Sequence, residues 1–312
     1  FDKLNQIKNT DTKISSFVTI QEGCDKFCNF CVVPYTRGSE YSRSLEEIIN
    51  EAKALILNGA KEIVLLGQNV NAYNYKTKNK NFRLSHLIRE LDKIKDLKRI
   101  RYTTSHPNDM TEDLINCYKD VKKLMPFLHL PAQSGSNAIL KKMNRKYTRE
   151  KYLSIIKKMR EIMPIMEFSS DFIVGYPGET EKDFEDTLDL ISKVNFVNSY
   201  SFIYNKRPGT PASNLESVDQ KLQKKRLIIL QSLLEKIQRK KNNKNISRSK
   251  KVLVENIMKN ENKFFGRTFE LTPVVFDAKK EDIGKIIDVE ITGCNQNSLF
   301  GFKKDLKKEV AA

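Results

Sequence analysis

No run of about eighteen apolar residues occurs anywhere in the sequence, which excludes a membrane-spanning helix of ordinary length. The first residues, Phe1-Asp2-Lys3-Leu4-Asn5-Gln6, offer neither an initiating Met nor the apolar stretch of a secretory leader. Cysteine is scarce, with 5 in 312 residues, and the spacing is too uneven for a disulfide framework. That pattern points to reduced, metal-binding thiols in the cytoplasm. Acidic residues are the minority charge, 39 against 56 basic ones, for a formal net charge of +17. Lys and Arg neutralise phosphates and release counterions, so such an excess suits a polyanionic partner. What remains is a chain that is 39% hydrophobic, with the length of roughly two domains.

Three of the five cysteines are crowded into one segment, Gly23-Cys24-Asp25-Lys26-Phe27-Cys28-Asn29-Phe30-Cys31. Structural zinc sites and complete iron–sulfur sites take four protein ligands. No fourth ligand lies close by: the nearest His is His86, and the next Cys is Cys117. Three thiolates leave one metal position open, and an open position is where chemistry can take place. A zinc site completed from a distance, or buried free thiols, are the alternatives at this level.

From Phe17 to Tyr204 the sequence alternates β-type runs with amphipathic helical stretches. The spacing predicts strands at Phe17–Gln21, Glu62–Leu66, Arg99–Thr104, Phe127–Leu130, Glu167–Val174 and Val197–Ile203. Helices are expected at Ser44–Asn58, Leu84–Lys93, Thr111–Tyr118, Arg149–Ile162 and Glu181–Val194, with Gly59 closing the first. Such alternation implies parallel βαβ units, hence an α/β fold with a partial (β/α)6 barrel. Each strand run ends in small or polar residues, among them Gly67-Gln68-Asn69, Ser105-His106-Pro107 and Gly175-Tyr176-Pro177. In parallel α/β folds ligands bind at this edge.

A long helix is expected from Asp219 to Asn243, with Leu227, Leu230, Leu234 and Ile237 facing the barrel. Residues 220–251 hold twelve Lys/Arg and a single acid, Glu235, so its other face reads as a nucleic-acid surface. From Ser247 the pattern changes to short strands with turn signals, at Lys251–Val254, Lys263–Thr268, Leu271–Phe276, Lys285–Ile291 and Leu299–Lys303. That predicts a small all-β, OB-like barrel. The domain reading is residues 1–14 as the remnant of a linker, 15–218 as the α/β core, 219–246 as a basic linker helix and 247–308 as the β domain.

The spacing Cys24-x3-Cys28-x2-Cys31, with Phe30 before the last thiol, resembles the radical S-adenosylmethionine (SAM) superfamily. The run Cys31-Val32-Val33-Pro34-Tyr35-Thr36-Arg37-Gly38 resembles its methylthiotransferase branch, as do Leu66-Gly67-Gln68-Asn69, Thr104-Ser105-His106-Pro107, Leu130-Pro131-Ala132-Gln133-Ser134-Gly135-Ser136 and Asp171-Phe172-Ile173-Val174-Gly175. The C-terminal segment resembles a TRAM domain in Phe265-Gly266-Arg267-Thr268, Gly284-Lys285 and Val289-Glu290-Ile291-Thr292. The likeness covers residues 15–305.

The resemblance implies a transferase in which Cys24, Cys28 and Cys31 hold one [4Fe–4S] cluster whose open iron binds SAM. Phe30, Gln68, Ser105, Gln133, Arg145 and Asp171 are the expected SAM contacts, and a guanidinium such as Arg145 suits a carboxylate. Gln68 stands where the superfamily usually has an acid. Lys263, Arg267 and Lys285 are the expected RNA contacts, with Phe264 and Phe265 able to stack on bases or fill the core. His106 and His129 are read as hydrogen-bonded structural residues, Cys117 and Cys294 as lone thiols. The implied reaction adds a methylthio group to C2 of N6-isopentenyladenosine beside the anticodon of tRNA. The implied partners are a tRNA anticodon stem-loop and an electron donor such as flavodoxin or ferredoxin, acting on a monomer with no membrane contact.

Methylthiotransferases of this kind carry an N-terminal domain with a second [4Fe–4S] cluster held by three further cysteines. Cys117 and Cys294 cannot replace those three, so this chain is expected to bind and cleave SAM without completing sulfur insertion. Sibling enzymes acting on threonylcarbamoyladenosine in tRNA or on a ribosomal-protein aspartate, and a non-catalytic RNA-binding fragment, are the competing readings.

Overall fold

A computed structural model of the chain describes residues 13–258 and 263–304. The expected linker remnant falls outside them up to residue 12, as do residues 305–308 of the expected β domain.

The core strands are β1 (Ser15–Thr19), β2 (Glu62–Leu66), β3 (Arg99–Tyr102), β4 (Phe127–His129), β5 (Glu167–Ser169), β6 (Asp171–Val174) and β7 (Tyr200–Ile203). All run parallel: Ser15 lies opposite Glu62, Glu62 opposite Arg99, Phe127 opposite Glu167 and Asp171 opposite Tyr200. A bridge from Ile100 to Leu124 links β3 to the approach of β4, and one from Gln133 to Phe172 links the exit of β4 to β6. Among the described residues β7 and β1 do not pair, so the barrel stays open between them.

The strand expected at Glu167–Val174 is divided at Ser170. There Ala132 N–H donates to the Ser170 hydroxyl (2.9 Å), and Ser170 N–H donates to the Ser199 hydroxyl (3.0 Å). Side-chain hydroxyls take over from the backbone ladder at the point where the strand changes partners.

The helices are α1 (Val33–Arg37), α2 (Leu45–Leu57), α3 (Leu84–Asp92), α4 (Glu112–Asp120), α5 (Asn137–Lys142), α6 (Arg149–Ile162), α7 (Glu181–Val194) and α8 (Gln220–Asn243). Their starts follow from capping chemistry. Ser44 accepts from Glu47 N–H and Thr111 from Leu114 N–H, while Thr180 and Asp183 form a reciprocal capping box. The short α1 and α5 escape the periodic pattern because neither completes two turns of amphipathic repeat.

The inward positions of α2, α3, α4, α6 and α7 join the outward-facing strand residues, such as Ile63, Leu65, Ile100, Leu128 and Phe168, in one apolar core. The opposite strand positions face the lumen and are polar or less buried, among them Arg101, His129, Ser169, Asp171 and Tyr200. Strand alternation thus assigns one set to packing and the other to the cavity.

Helix α8 crosses the barrel wall from the strand-end rim to the strand starts. At its first turns Gln223 donates to Gly175 O (3.0 Å), and Arg226 donates to Glu179 O (3.0 Å) and its carboxylate (2.8 Å). Leu230 and Ile237 are buried and Leu227 and Leu234 pack beside them. Near its end Lys241 is ion-paired with Glu167 at the start of β5.

The strands β8 (Ser249–Ile257), β9 (Phe264–Thr268), β10 (Pro273–Asp277), β11 (Ile286–Cys294) and β12 (Leu299–Lys303) close a barrel in the order β8-β9-β10-β12-β11. Only β10 and β12 pair in parallel. Val252, Val254, Phe264, Val274, Phe276, Val289 and Leu299 fill the barrel, so Phe264 is core rather than a base-stacking surface. Strand β10 starts at Pro273, two residues after Leu271, whose φ of 67° belongs to the preceding turn rather than to a strand.

The β barrel docks on the core through Arg99. That side chain is 1% exposed, and its guanidinium donates to Arg267 O (2.8 Å) and Thr268 O (3.1 Å) while lying over the Phe269 ring. Among the described residues no helix is long and apolar enough to cross a membrane.

Candidate functional site

The cysteine loop leaves the sheet directly after β1 and is pinned at its neck. Gln21–Glu22 pairs antiparallel with Tyr41–Ser42, and Cys24 N–H donates to Gly38 O (3.1 Å). Gly23 has φ 73°, and a Cβ there would lie 2.0 Å from Ser39 O, so only glycine fits. Inside the loop Cys31 N–H donates to Cys28 O (2.9 Å), and Phe27 takes a left-handed φ of 49°.

Other strand ends hold this loop from outside. Asn144 Nδ2 donates to Phe27 O (2.8 Å), Asn29 N–H donates to Met143 O (3.0 Å), and Ala212 N–H donates to Asn29 O (2.9 Å). Lys26 pairs with Asp109 (2.8 Å); Asp109 also accepts from Asn69 Nδ2 (2.8 Å), which reaches Glu40 at 3.2 Å. Asn69 and Asn144 lie within motifs that resemble the family but carried no role there, and Asp109 did not stand out in the sequence. The available signal was their place at strand ends, which identifies an edge but not a partner.

Cys28 is buried, and Cys24 and Cys31 are half-buried. Burial pushes the Cys24 thiol up to about 11 and raises that of Cys31, and the neighbouring thiols add to both effects. Among the described residues no three His, Cys, Asp or Glu side chains converge as a single metal ion requires. Thiolates on a cubane cluster need not converge in that way, because each binds a different iron.

Arg145 argues that an anion belongs here. It is 6% exposed and donates to Cys28 Sγ (3.4 Å), Tyr147 Oη (3.1 Å) and Pro131 O (2.9 Å). Burial lowers its pKa, but Tyr147 and the Cys28 sulfur outweigh that and leave it raised. No carboxylate pairs with this guanidinium among the described residues. A buried cation without a counter-ion is costly. Cysteine thiolates carrying an anionic iron–sulfur cluster, or a ligand carboxylate, would supply one, so the donor set fits such a group.

The remaining expected SAM contacts fall into three environments. Phe30, Gln133 and Asp171 line one cavity of 540 Å3 with Ile173, Tyr204 and Arg207. Gln133 holds a left-handed φ of 66°, a strained setting that often marks a binding site. Gln68 is engaged with the protein itself, accepting Gly23 N–H at 2.7 Å. The Ser105 hydroxyl is buried with no partner.

His106 receives Asn108 N–H on Nδ1 (3.2 Å), leaves Nε2 buried without a partner, and packs edge-on against Tyr147. Burial, helped by Arg145 and Lys26, holds its pKa down at about 2. His129 contacts the Ser169 hydroxyl through Nδ1 (2.7 Å) and Asp171 through Nε2 (3.5 Å). This group faces a second cavity of 670 Å3, walled by Arg101 and Tyr200 of the core and by Arg267 and Asn297 of the β barrel. Asp171 borders both cavities.

The expected RNA contacts are scattered. Lys263 is paired with Asp277 (2.9 Å), and Arg267 is paired with Glu255 while lying over the Phe265 ring. Lys285 is exposed near the strand-start edge, next to Gly284, which sits against Ile14 and Lys61. Cys117 is buried, directed at Asp113 O and Ser85 O, and Cys294 meets Asn243; neither approaches the three-cysteine loop.

Comparison with known proteins gives two family matches, the Radical SAM superfamily over residues 18–191 and the TRAM domain over residues 246–303. The chain is 61% identical over its whole length to tRNA-2-methylthio-N(6)-dimethylallyladenosine synthase of Pelagibacter ubique (strain HTCC1062), covering 70% of that protein. It is 51% identical over 92% of its length to the protein of the same name from Rickettsia akari (strain Hartford), covering 65% of it. Among solved structures it is similar to coproporphyrinogen III oxidase (HemN) from Escherichia coli, with a TM-score of 0.55 at 13% identity over 96% of this chain and 74% of that chain. A second likeness, to the radical S-adenosylmethionine methyltransferase TsrM from Kitasatospora setae, has a TM-score of 0.52 at 17% identity over 64% of this chain and 38% of that one. Identities this low speak to the fold alone.

Proposed function

The chain belongs to the radical SAM superfamily and, within it, to the family of the tRNA-2-methylthio-N(6)-dimethylallyladenosine synthases, and from that premise we propose that it is the SAM-cleaving, tRNA-engaging part of a methylthiotransferase acting at C2 of N6-isopentenyladenosine beside the anticodon. Its cofactors are a [4Fe–4S] cluster and SAM. The observation that carries the reading is the three-thiol loop on the strand-end rim, beside a buried unpaired guanidinium and a 540 Å3 cavity. That volume lies within the range of small-molecule sites.

Cys24, Cys28 and Cys31 would hold the cluster. When bound, the cluster supplies the electron that splits SAM and yields a radical able to remove an unactivated hydrogen. The chain's own residues bind and orient. Arg145 offers a fixed positive fork to the Cys28 thiolate and to the SAM carboxylate, while Phe30, Gln133 and Asp171 wall the adjoining cavity. Gln68 acts on the cysteine loop by fixing Gly23, and the Lys26–Asp109–Asn69 chain holds the loop's far side. The lumen behind, with His129 and Asp171, is where the nucleoside base would enter.

The chain spans 70% and 65% of the two curated relatives above. The function proposed for it alone is SAM binding and cleavage, with sulfur insertion needing a further cluster. A cytoplasmic monomer reduced by a flavodoxin- or ferredoxin-like donor fits reduced thiols and a tRNA substrate.

Anaerobic reconstitution with iron and sulfide tests this. The chain should gain iron–sulfur absorbance and, with reductant and SAM, release 5′-deoxyadenosine, whereas Cys28→Ala should do neither. Formation of a methylthio product by this chain alone would overturn the partial activity. Absence of both cluster and 5′-deoxyadenosine would favour a non-catalytic RNA-binding role.

A further inference from the structure

Of the cations expected to meet RNA on the β barrel, two are satisfied internally, and Lys285 is exposed with no acidic partner among the described residues. Lys263 and Arg267 have carboxylate partners, as do Lys250 and Lys251 on β8. Within α8 the inward cations are also consumed: Arg226 by Glu179 and Glu181, Lys241 by Glu167.

The outward cations of α8 differ. Lys221, Lys225, Lys236, Arg239, Lys240 and Lys244 are all exposed, and none has an acidic partner among the described residues. At about 100° per residue, the first five fall within an arc of about 100° on one helix face. Towards the helix end Lys236, Arg239, Lys240 and Lys244 frame one open trough with Ser232 and Asn243. Glu235 at its margin is the only acid in the run.

Position gives the stripe its meaning. Its first turn is fastened to Gly175 and Glu179 on the rim that carries the cysteine loop, and its last residues hold Asn295 and Gln296 of the β barrel. The helix is 24 residues long, about 36 Å. That is enough to follow several successive phosphates from the reaction rim to the β domain.

We infer that the solvent face of α8 is a phosphate-binding surface of this chain. It grips the RNA backbone along a line leading from the rim towards the β barrel. This rests on the tRNA reading above. Phosphate contacts of this kind set register and affinity without reading sequence.

The test is equilibrium binding of the full chain to unmodified tRNA transcript across a salt series. Lys236→Gln/Arg239→Gln/Lys240→Gln should weaken binding about tenfold or more near physiological salt and make the slope of log K against log salt shallower by about 2 to 3. Lys53→Gln/Lys95→Gln/Lys119→Gln removes the same charge from exposed sites on the core helices and beyond and should leave the slope unchanged. Melting curves check that both variants fold. Equal losses in the two triple variants would reduce the effect to overall charge and overturn the assignment. So would an unchanged slope in the α8 variant, or a variant that keeps tRNA affinity but loses reduction by an acidic electron-transfer protein. If the unaltered chain binds no tRNA, the functional reading fails; if it binds and the α8 variant binds alike, only this inference fails.

Discussion

His106 provides a titration that reports on the packing behind the rim. Its ring is 4% exposed, its Nδ1 accepts Asn108 N–H, and its Nε2 meets no partner. Protonation would put a third cation into a dry site already facing Arg145 and Lys26; burial first and those charges second depress the pKa from 6.5 to about 2. The unfolded chain takes up a proton on this side chain below about pH 6.5, and the folded chain does not. Stability therefore falls as pH falls through that window, by about 1.4 kcal/mol per pH unit. Between neutral pH and about pH 5 the loss from this one group is about 2 kcal/mol. His106→Asn keeps an acceptor near the Nδ1 position and removes the titrating ring. At neutral pH it should cost about 1–2 kcal/mol of packing, yet its stability should decline less steeply with acid, by the same 2 kcal/mol. Urea denaturation at several pH values, compared at constant m, measures both. Parallel acid losses in the two proteins would mean that the folded ring does take a proton, and the account of a dry, unpartnered imidazole would be wrong.

Two further perturbations separate local fit from domain docking. A Cβ on Gly135 would lie 2.3 Å from Asp186 O, so Gly135→Ala should cost about 1–3 kcal/mol by forcing α5 away from α7, seen as a lowered Tm. A neutral effect would show that the two segments yield easily. Arg99→Met leaves the Arg267 and Thr268 carbonyls short of a donor and removes a cation that lies 4.0 Å from the fully buried Glu62 carboxylate. It should destabilise the junction by about 2–4 kcal/mol and speed hydrogen exchange at the β9 end before the barrel core; uniform exchange rates would refute a specific latch.

Regular elements were legible because their periodicity is local. The strand runs, the five longer core helices and α8 all follow from apolar spacing and caps such as Ser44, Thr111 and Thr180. The split at Ser170 and the short helices α1 and α5 were not, since hydroxyl–backbone bonds and single turns leave no periodic trace. At the site, the three cysteines announce themselves by spacing. Gln68 does not, since nothing in the sequence shows that its amide oxygen takes Gly23 N–H rather than a ligand.

The sequence by itself determined the three closely spaced cysteines, the lack of a fourth Cys or His beside them, their place after the first strand and the excess of positive charge. These depend on residue identity and short-range spacing. Tertiary structure alone decided which charges are free. Lys263 and Arg267 meet carboxylates 14 and 12 residues away in sequence, Lys241 meets Glu167 at a separation of 74, and Arg145 is left facing Cys28 across 117 residues. A basic residue reads the same in sequence whether or not folding brings an acid to it. The fold therefore leaves an unpaired buried guanidinium beside the cysteine loop and a stripe of unpaired exposed cations along α8.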